Sequence, residues 1–285
     1  MNARTPRSVY CSNWHLHHNL AVARDVCAGR FTHAGSTVMV SGQPDWTRKN
    51  LRSLPAWWAE CIEFNYTLDL AFAFHTLGET RYLDTWQRLV GAWAADVKPD
   101  FGLVDALARR VQNWIYSWGA LEDAPAFTQI EPIIRDTVVE SICRQAQHLT
   151  GHLAPKGHRR TEHLYALLVV ALGLPDADGS ADLRRYAWPE LHRSMIAEFP
   201  LDRRRRSGES GDAMSELRIF LAARENARRF GLPVTAAFDE HLMAAVESAM
   251  QPPQPEEYMT HTATNPRDSL VIAAELLRRP FASRS

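Results

Sequence analysis

Apolar side chains recur along this chain with the period of an α-helix. Between Tyr82 and Trp93 they fall at Tyr82, Leu83, Trp86, Leu89, Val90 and Trp93, positions that share one face of a helix. From Leu103 to Leu121 the stripe is Leu103, Val104, Leu107, Ala108, Val111, Trp114, Ile115, Trp118 and Leu121. The same period predicts helices near 16–28, 55–76, 130–149, 162–173, 182–198, 212–230, 236–250 and 269–278. Stop signals separate them: Gly78 precedes Glu79-Thr80, and Gly231-Leu232-Pro233 follows Phe230. Glycine just past a helix end and proline beyond it are common terminators. Strand-like alternation is confined to one short extended piece, Ser36 to Val40. About nine or ten helices joined by short turns predict an all-α protein of antiparallel helix hairpins, a solenoid or an (α/α) toroid around a polar cleft. No strict repeat of the helical-repeat families is present. No interdomain linker stands out, so residues 1–285 read as one domain, with 1–14 and 282–285 fraying.

Composition narrows the class. At 285 residues a continuous helical array can bury a large core, and 46% apolar with 23% charged residues suits a globular chain. The formal net charge of -1 gives no global attraction to nucleic acid. The start, MNARTPRSVYCSNWHLHH, lacks the apolar core of a secretory signal. The longest apolar run, Leu164 to Leu174, falls short of the roughly 18 residues of a membrane span. Cys11, Cys27, Cys61 and Cys143 form no CxxC pair and read as reduced, which predicts a cytoplasmic protein with no membrane partner.

Three segments concentrate polar chemistry: Lys156 to His163, Leu201 to Asp212, and His261 to Asp268. Arg203 to Arg206 fit either a solvated loop or a clamp for carboxylate, sulfate or phosphate, because guanidinium binds such groups bidentately. His163 either caps and packs a helix start or acts as a general base. Glu162 fits an N-terminal helix partner or an acid. His15, His17 and His18 lack a carboxylate or cysteine at ligand spacing, so no metal site is predicted. Trp57, Trp58, Trp114 and Trp118 suit a core more than sugar platforms. No nucleophile elbow, P-loop, dinucleotide fingerprint or HExxH occurs, and no cofactor is predicted.

The run Trp57-Trp58-Ala-Glu-Cys-Ile-Glu-Phe64-Asn65-Tyr66-Thr-Leu68-Asp69-Leu70-Ala71, followed by Thr76-Leu-Gly78-Glu-Thr-Arg81-Tyr82, resembles the N-terminal helical domain of the heparinase II/III-like polysaccharide lyases. Arg110-Val-Gln-Asn113-Trp114 resembles the family's R-x-x-N-W helix, and Glu162-His163-Leu164 its N-H-L helix. Phe199-Pro-Leu-Asp202 and the loop to Asp212 stand where the family has an L-P-D-G-G-H-x-E-x-S-x-x-Y-H loop. Ala28-Gly29-Arg30-Phe31 and Asp45-Trp46 resemble the lead-in to the toroid, so the likeness runs from about residue 20 to 279.

The resemblance implies an incomplete (α/α) toroid, here without the family's C-terminal β-sandwich. It also implies β-elimination on acidic polysaccharides, in which an Asn neutralises the uronate carboxylate and Tyr and His act as base and acid. The chain departs from that pattern: Glu162 replaces the Asn, and 203–215 holds no Tyr or His.

The expected function is therefore a carbon–oxygen lyase, eliminating or dehydrating an anionic or carboxylated substrate, either an oligosaccharide or a small metabolite. His163, Glu162, Glu209 and Tyr165 are its candidate catalytic groups. Asn65, Arg110, Asn113, Trp114, Arg160, Arg204, Arg205, Arg206, Asp212, His261 and Arg267 are its candidate binders. The alternative is a non-catalytic toroid binding an acidic glycan or a protein, with a homodimer or second chain as a further arrangement that would complete the cleft.

Overall fold

A computed structural model describes residues 7–11, 19–40, 42, 44–47, 49–127, 130–201 and 210–250, with the side chains of 49–50, 210–213 and 250 outside that description. Among the described residues ten α-helices follow in order: α1 Leu20–Cys27, α2 Pro55–Cys61, α3 Tyr66–Leu77, α4 Thr80–Asp96, α5 Val104–Glu122, α6 Pro132–Gly151, α7 Gly157–Gly173, α8 Ser180–Glu198, α9 Ser210–Phe230 and α10 Ala236–Met250. A small hairpin, β1 Arg30–His33 and β2 Ser36–Met39, pairs antiparallel, with Phe31 opposite Val38. The extended piece expected at Ser36 to Val40 is its second strand. The helix expected at 269–278 lies outside the described residues.

The helices sort into two layers. In the inner layer α1, α3, α5, α7 and α9 pack in succession, each on the next. Outside them α4 packs on α3 and α6, while α8 packs on α7 and α10. Side chains report the same division. From Thr161 to Gly173 every residue of α7 is buried, and Tyr66 to Ala71 of α3 likewise. By contrast α8 buries only Ser180, Ala187, Trp188, Leu191 and Met195. A helix walled in on both sides must be apolar almost all round, whereas an outer helix needs one stripe. This is an all-α toroid, with its core between the two layers.

Two helix boundaries differ from the sequence reading, and both shape the site. The helix expected across 55–76 is broken at 62–65, where Phe64 takes a left-handed φ of 60° while fully buried. That conformation is costly for a bulky side chain. Phe64 is held there by the rings of Trp46, Tyr66, Trp93 and Trp114, with centroids 5.2–5.4 Å away. The second difference is that α7 begins at Gly157, not at 162. Its first turns read as a loop because they are polar, yet their charges are matched by neighbouring helices: Arg159 by Asp105, Arg160 by Glu190, and Glu162 by Arg109.

Residues 7–11, expected to fray, are held against the inner helices. The Arg7 amide donates to the Gly173 carbonyl at 2.7 Å, Val9 is buried, and Ser8 lies against Gly119. A Cβ on Gly119 would come within 3.3 Å of Ser8, so the small residue makes room for the strap. All four cysteines are free, and no described helix is long and apolar enough to cross a membrane.

Candidate functional site

Because chain direction alternates between the layers, α3, α5 and α7 run the same way. Their early residues meet at one end of the arc. There the turn at 62–65, the residues Asp105, Arg109 and Asn113 of α5, and the residues Arg159, Glu162 and His163 of α7 form a connected polar cluster.

Arg109 is its centre. Its Nη1 donates to Glu63 Oε1 at 2.7 Å, its Nε to Glu162 Oε1 at 2.7 Å, and its Nη2 to Glu162 Oε2 at 3.4 Å. Asn65 Nδ2 donates to Glu63 Oε2 at 3.1 Å. Asn113 Nδ2 donates to the Glu63 carbonyl and to Asn65 Oδ1, each at 2.8 Å. The left-handed Phe64 lets Glu63 and Asn65 both reach this cluster from two residues apart. Burial pushes the Glu63 carboxyl above its ordinary range, although Arg109 opposes the shift. Burial also works against the Arg109 cation, but Glu162 and Glu63 outweigh it and hold the guanidinium firmly protonated. The Arg109 side chain remains 42% exposed, against 12% and 11% for the two carboxylates.

His163 lies beside this centre. Its Nδ1 accepts the Ala154 amide at 3.2 Å, so its proton sits on Nε2, 2.8 Å from Asp105 Oδ1. The other Asp105 oxygen pairs with Arg159 Nε at 3.4 Å. Both imidazole nitrogens are thus engaged, and the residue is 2% exposed. In this geometry His163 ties α7 to α5.

Asn65, Asn113, Glu162 and His163, all expected at the site, are brought together. Others are placed elsewhere. Arg110, adjacent to the central arginine, is fully buried: Nε donates to Gln145 Oε1 at 2.8 Å and Nη1 to the Ile62 carbonyl at 3.0 Å. Its guanidinium stands 4.4 Å over the Trp93 ring, and burial lowers its pKa to about 9. Trp114 is fully buried against Phe64. Neither side chain is open to a substrate, because the α5 face that carries them looks into the core. Trp57, Trp58 and Trp118 are core residues as well. Arg160 turns toward α8, donating to Glu190 at 3.0 Å and the Ala154 carbonyl at 3.2 Å.

Tyr165 is enclosed between inner helices. Its hydroxyl accepts from Tyr116 at 3.0 Å and from Asn226 Nδ2 at 3.1 Å, and burial raises its pKa. Glu209, Arg204, Arg205, Arg206, His261 and Arg267 lie outside the described residues, as does the side chain of Asp212. Among the described residues no group of three or more His, Cys, Asp or Glu could hold a metal ion.

Arg109, Glu63 and Asp105 complete the cluster without having been expected from the sequence. A signal for two of them was present. Asp105, Arg109 and Asn113 recur every fourth residue along the helix, a polar stripe on one face. Glu63 had none, since its placement depends on the break at Phe64.

No protein-family model and no curated protein sequence matches the chain. Solved structures do. The crystal structure of the heparan sulfate lyase HepC from Pedobacter heparinus matches at a TM-score of 0.64 and 17% identity, covering 80% of this chain and 37% of that one. A mutant of the same lyase matches at 0.68 and 17%, covering 86% and 41%. The crystal structure of Heparinase III matches at 0.67 and 15%, covering 88% and 39%. The chain shares its all-α toroid fold with these structures. The chain spans less than half the length of these heparinase-type neighbours, and identities this low carry the fold alone.

Proposed function

We propose that this chain is the helical part of a lyase-type enzyme that cleaves an anionic, uronate-containing oligosaccharide by β-elimination. The observation that carries the reading is the cluster of Glu63, Asn65, Arg109, Asn113 and Glu162 at the early ends of the inner helices, on a fold shared with a heparan sulfate lyase and a heparinase. Such a reaction needs a group to neutralise the substrate carboxylate, a base for the neighbouring proton and an acid for the leaving oxygen. On this reading the cation of Arg109 and the amide of Asn65 belong to the first task, and Asn113 holds Glu63 and Asn65 in place. Glu63 and Glu162, which partly reach solvent beside Arg109, are the described carboxyls available for proton transfer. A carboxyl with a raised pKa in a polar recess fits that work. His163, with its proton directed at Asp105, positions the start of α7. The basic run Arg204 to Arg206 and Glu209 precede α9 and belong to the same proposal as an anion clamp and a further acid. Neither solved neighbour is a small-metabolite enzyme, so the substrate proposed here is an oligosaccharide.

Incubation with heparan sulfate and with other uronate polysaccharides tests this. Ultraviolet absorbance of an unsaturated uronate should rise, and Glu63→Gln should abolish the rise. A second reading, binding of an acidic glycan without cleavage, is favoured by the engagement of both His163 nitrogens and the closure of Tyr165. Saturable binding with no unsaturated product would establish it in place of the first.

A further inference from the structure

Arg110 is a cation without a counter-charge. It is fully enclosed, and although burial lowers its pKa to about 9, the guanidinium is still charged at neutral pH. A buried cation is costly unless a negative charge offsets it. Among the described residues no carboxylate does so: Nε and Nη1 donate to neutral oxygens, Gln145 Oε1 and the Ile62 carbonyl, and the Trp93 ring covers one face. The Nη2 group is buried with no acceptor among the described residues.

Three more polar atoms of the same aromatic shell share that condition. Trp46 Nε1, the Tyr66 hydroxyl and Trp114 Nε1 are buried and unpartnered among the described residues, and none of the four side chains is more than 2% exposed. Buried indole and phenol groups ordinarily find a partner. The Phe64 ring joins them: its centroid lies 5.4 Å from Trp46, 5.2 Å from Tyr66, 5.4 Å from Trp114 and 5.3 Å from Trp93, the ring under Arg110. Trp114 follows Arg110 by four residues, on the same face of α5. Burial keeps the Tyr66 hydroxyl protonated, so it too has a proton to donate. Two cations, Arg110 and Arg88, act on that hydroxyl, and no carboxylate does.

Stranded donors and surplus positive charge call for a partner that only accepts and carries negative charge. Water accepts two hydrogen bonds but leaves the charge uncompensated. A carboxylate or phosphate brings several oxygens that each need a partner, whereas a monatomic anion brings none. We infer that this shell is an internal halide site, in which chloride sits between Arg110 Nη2 and the Tyr66 hydroxyl, with the indole N–H groups of Trp46 and Trp114 in its wall. Its role is structural. Arg110 Nη1 holds the Ile62 carbonyl, where the chain breaks to present Glu63 and Asn65, so the ion steadies that turn from the core side. The inference stands apart from the proposed reaction.

Thermal and denaturant unfolding of the full chain test it, after exhaustive dialysis into sodium gluconate and titration with sodium chloride or bromide at constant ionic strength. A ligand of the folded state alone lowers the unfolding constant about tenfold for each tenfold rise in its concentration above the dissociation constant. Chloride and bromide should do this to the unaltered protein, and Arg110→Met should show no such response. Tyr66→Phe, which keeps the ring and serves if Arg110→Met does not fold, should need several-fold more chloride for the same effect. Crystals grown in bromide should show a bromine anomalous peak beside Arg110 Nη2. Stability indifferent to halide, a response that survives Arg110→Met, an unchanged chloride requirement in Tyr66→Phe, or the absence of that peak overturns the inference. A peak without any effect on stability would mark an adventitious ion only, and overturns it as well.

Discussion

Two of the polar networks among the described residues of the inner layer differ in charge, closure and consequence. One is the cluster around Arg109, which is ionic and open to solvent at its centre. The other lies deeper and is neutral. There Tyr116, Tyr165 and Asn226 surround the strap at Tyr10. Asn226 Oδ1 accepts the Tyr10 amide at 2.8 Å, and its Nδ2 donates to the Tyr10 carbonyl and the Tyr165 hydroxyl, each at 3.1 Å. The Arg229 guanidinium covers the Tyr10 ring at 4.8 Å. A closed network of neutral groups, all satisfied, joins α5, α7 and α9 through the strap and suits holding an arc together. An ionic cluster at a rim keeps spare donors and suits meeting a ligand. Tyr165 and Glu162, three residues apart and both expected at the site, fall on opposite sides of this division.

The sharpest way to break the comparison is at Asn226. Asn226→Ala removes three hydrogen bonds, two of them to the Tyr10 backbone. It should cost about 3 kcal/mol in denaturant unfolding and expose the first residues to protease. A loss under about 1 kcal/mol would show that the deeper network is not what secures the strap.

Arg109→Met comes next. It leaves Glu63 and Glu162 facing each other without their cation. Because the arginine is more than a third exposed, the expected loss is about 1–2 kcal/mol, not the larger cost of a fully buried pair. Adding Glu162→Gln should recover part of it in a double-mutant cycle. Independent, additive effects would separate the two residues.

Tyr165→Phe should cost about 1 kcal/mol and leave glycan binding and any turnover unchanged. If it abolished turnover in a folded protein, the closed network would have to be counted as part of the site.

The smallest effect concerns pH. The fold holds the Glu63 proton more tightly than the unfolded chain does, since burial raises its pKa from an ordinary 4.5. The stability this group contributes is full below that value and is lost as pH rises through the folded one. Glu63→Gln should flatten that decline in melting temperature with pH, and an unchanged slope would assign it to another carboxyl.

Much of the fold was legible from local pattern. The stripes at Tyr82–Trp93 and Leu103–Leu121 correspond to α4 and α5, and Gly78 and Gly231 stand where helices stop. Two features at the site were not legible. The break at Phe64 is enforced by four rings brought from distant parts of the chain, so no local propensity announces it. The start of α7 read as a loop because its charges find partners only across helices.

Arg109 and Arg110 mark the boundary most clearly. Helical spacing puts both on one helix, about 100° apart around its axis, so that they must face different surroundings. The almost unbroken apolar run of its later turns likewise requires α7 to be walled in. Only the packing of α3, α6 and α7 around α5 decided that Arg110 lies under Trp93 and Gln145 while Arg109 reaches the rim between Glu63 and Glu162. The reason is that helical period is set by neighbours along the chain, whereas the direction of each face is set by contacts between residues far apart in it.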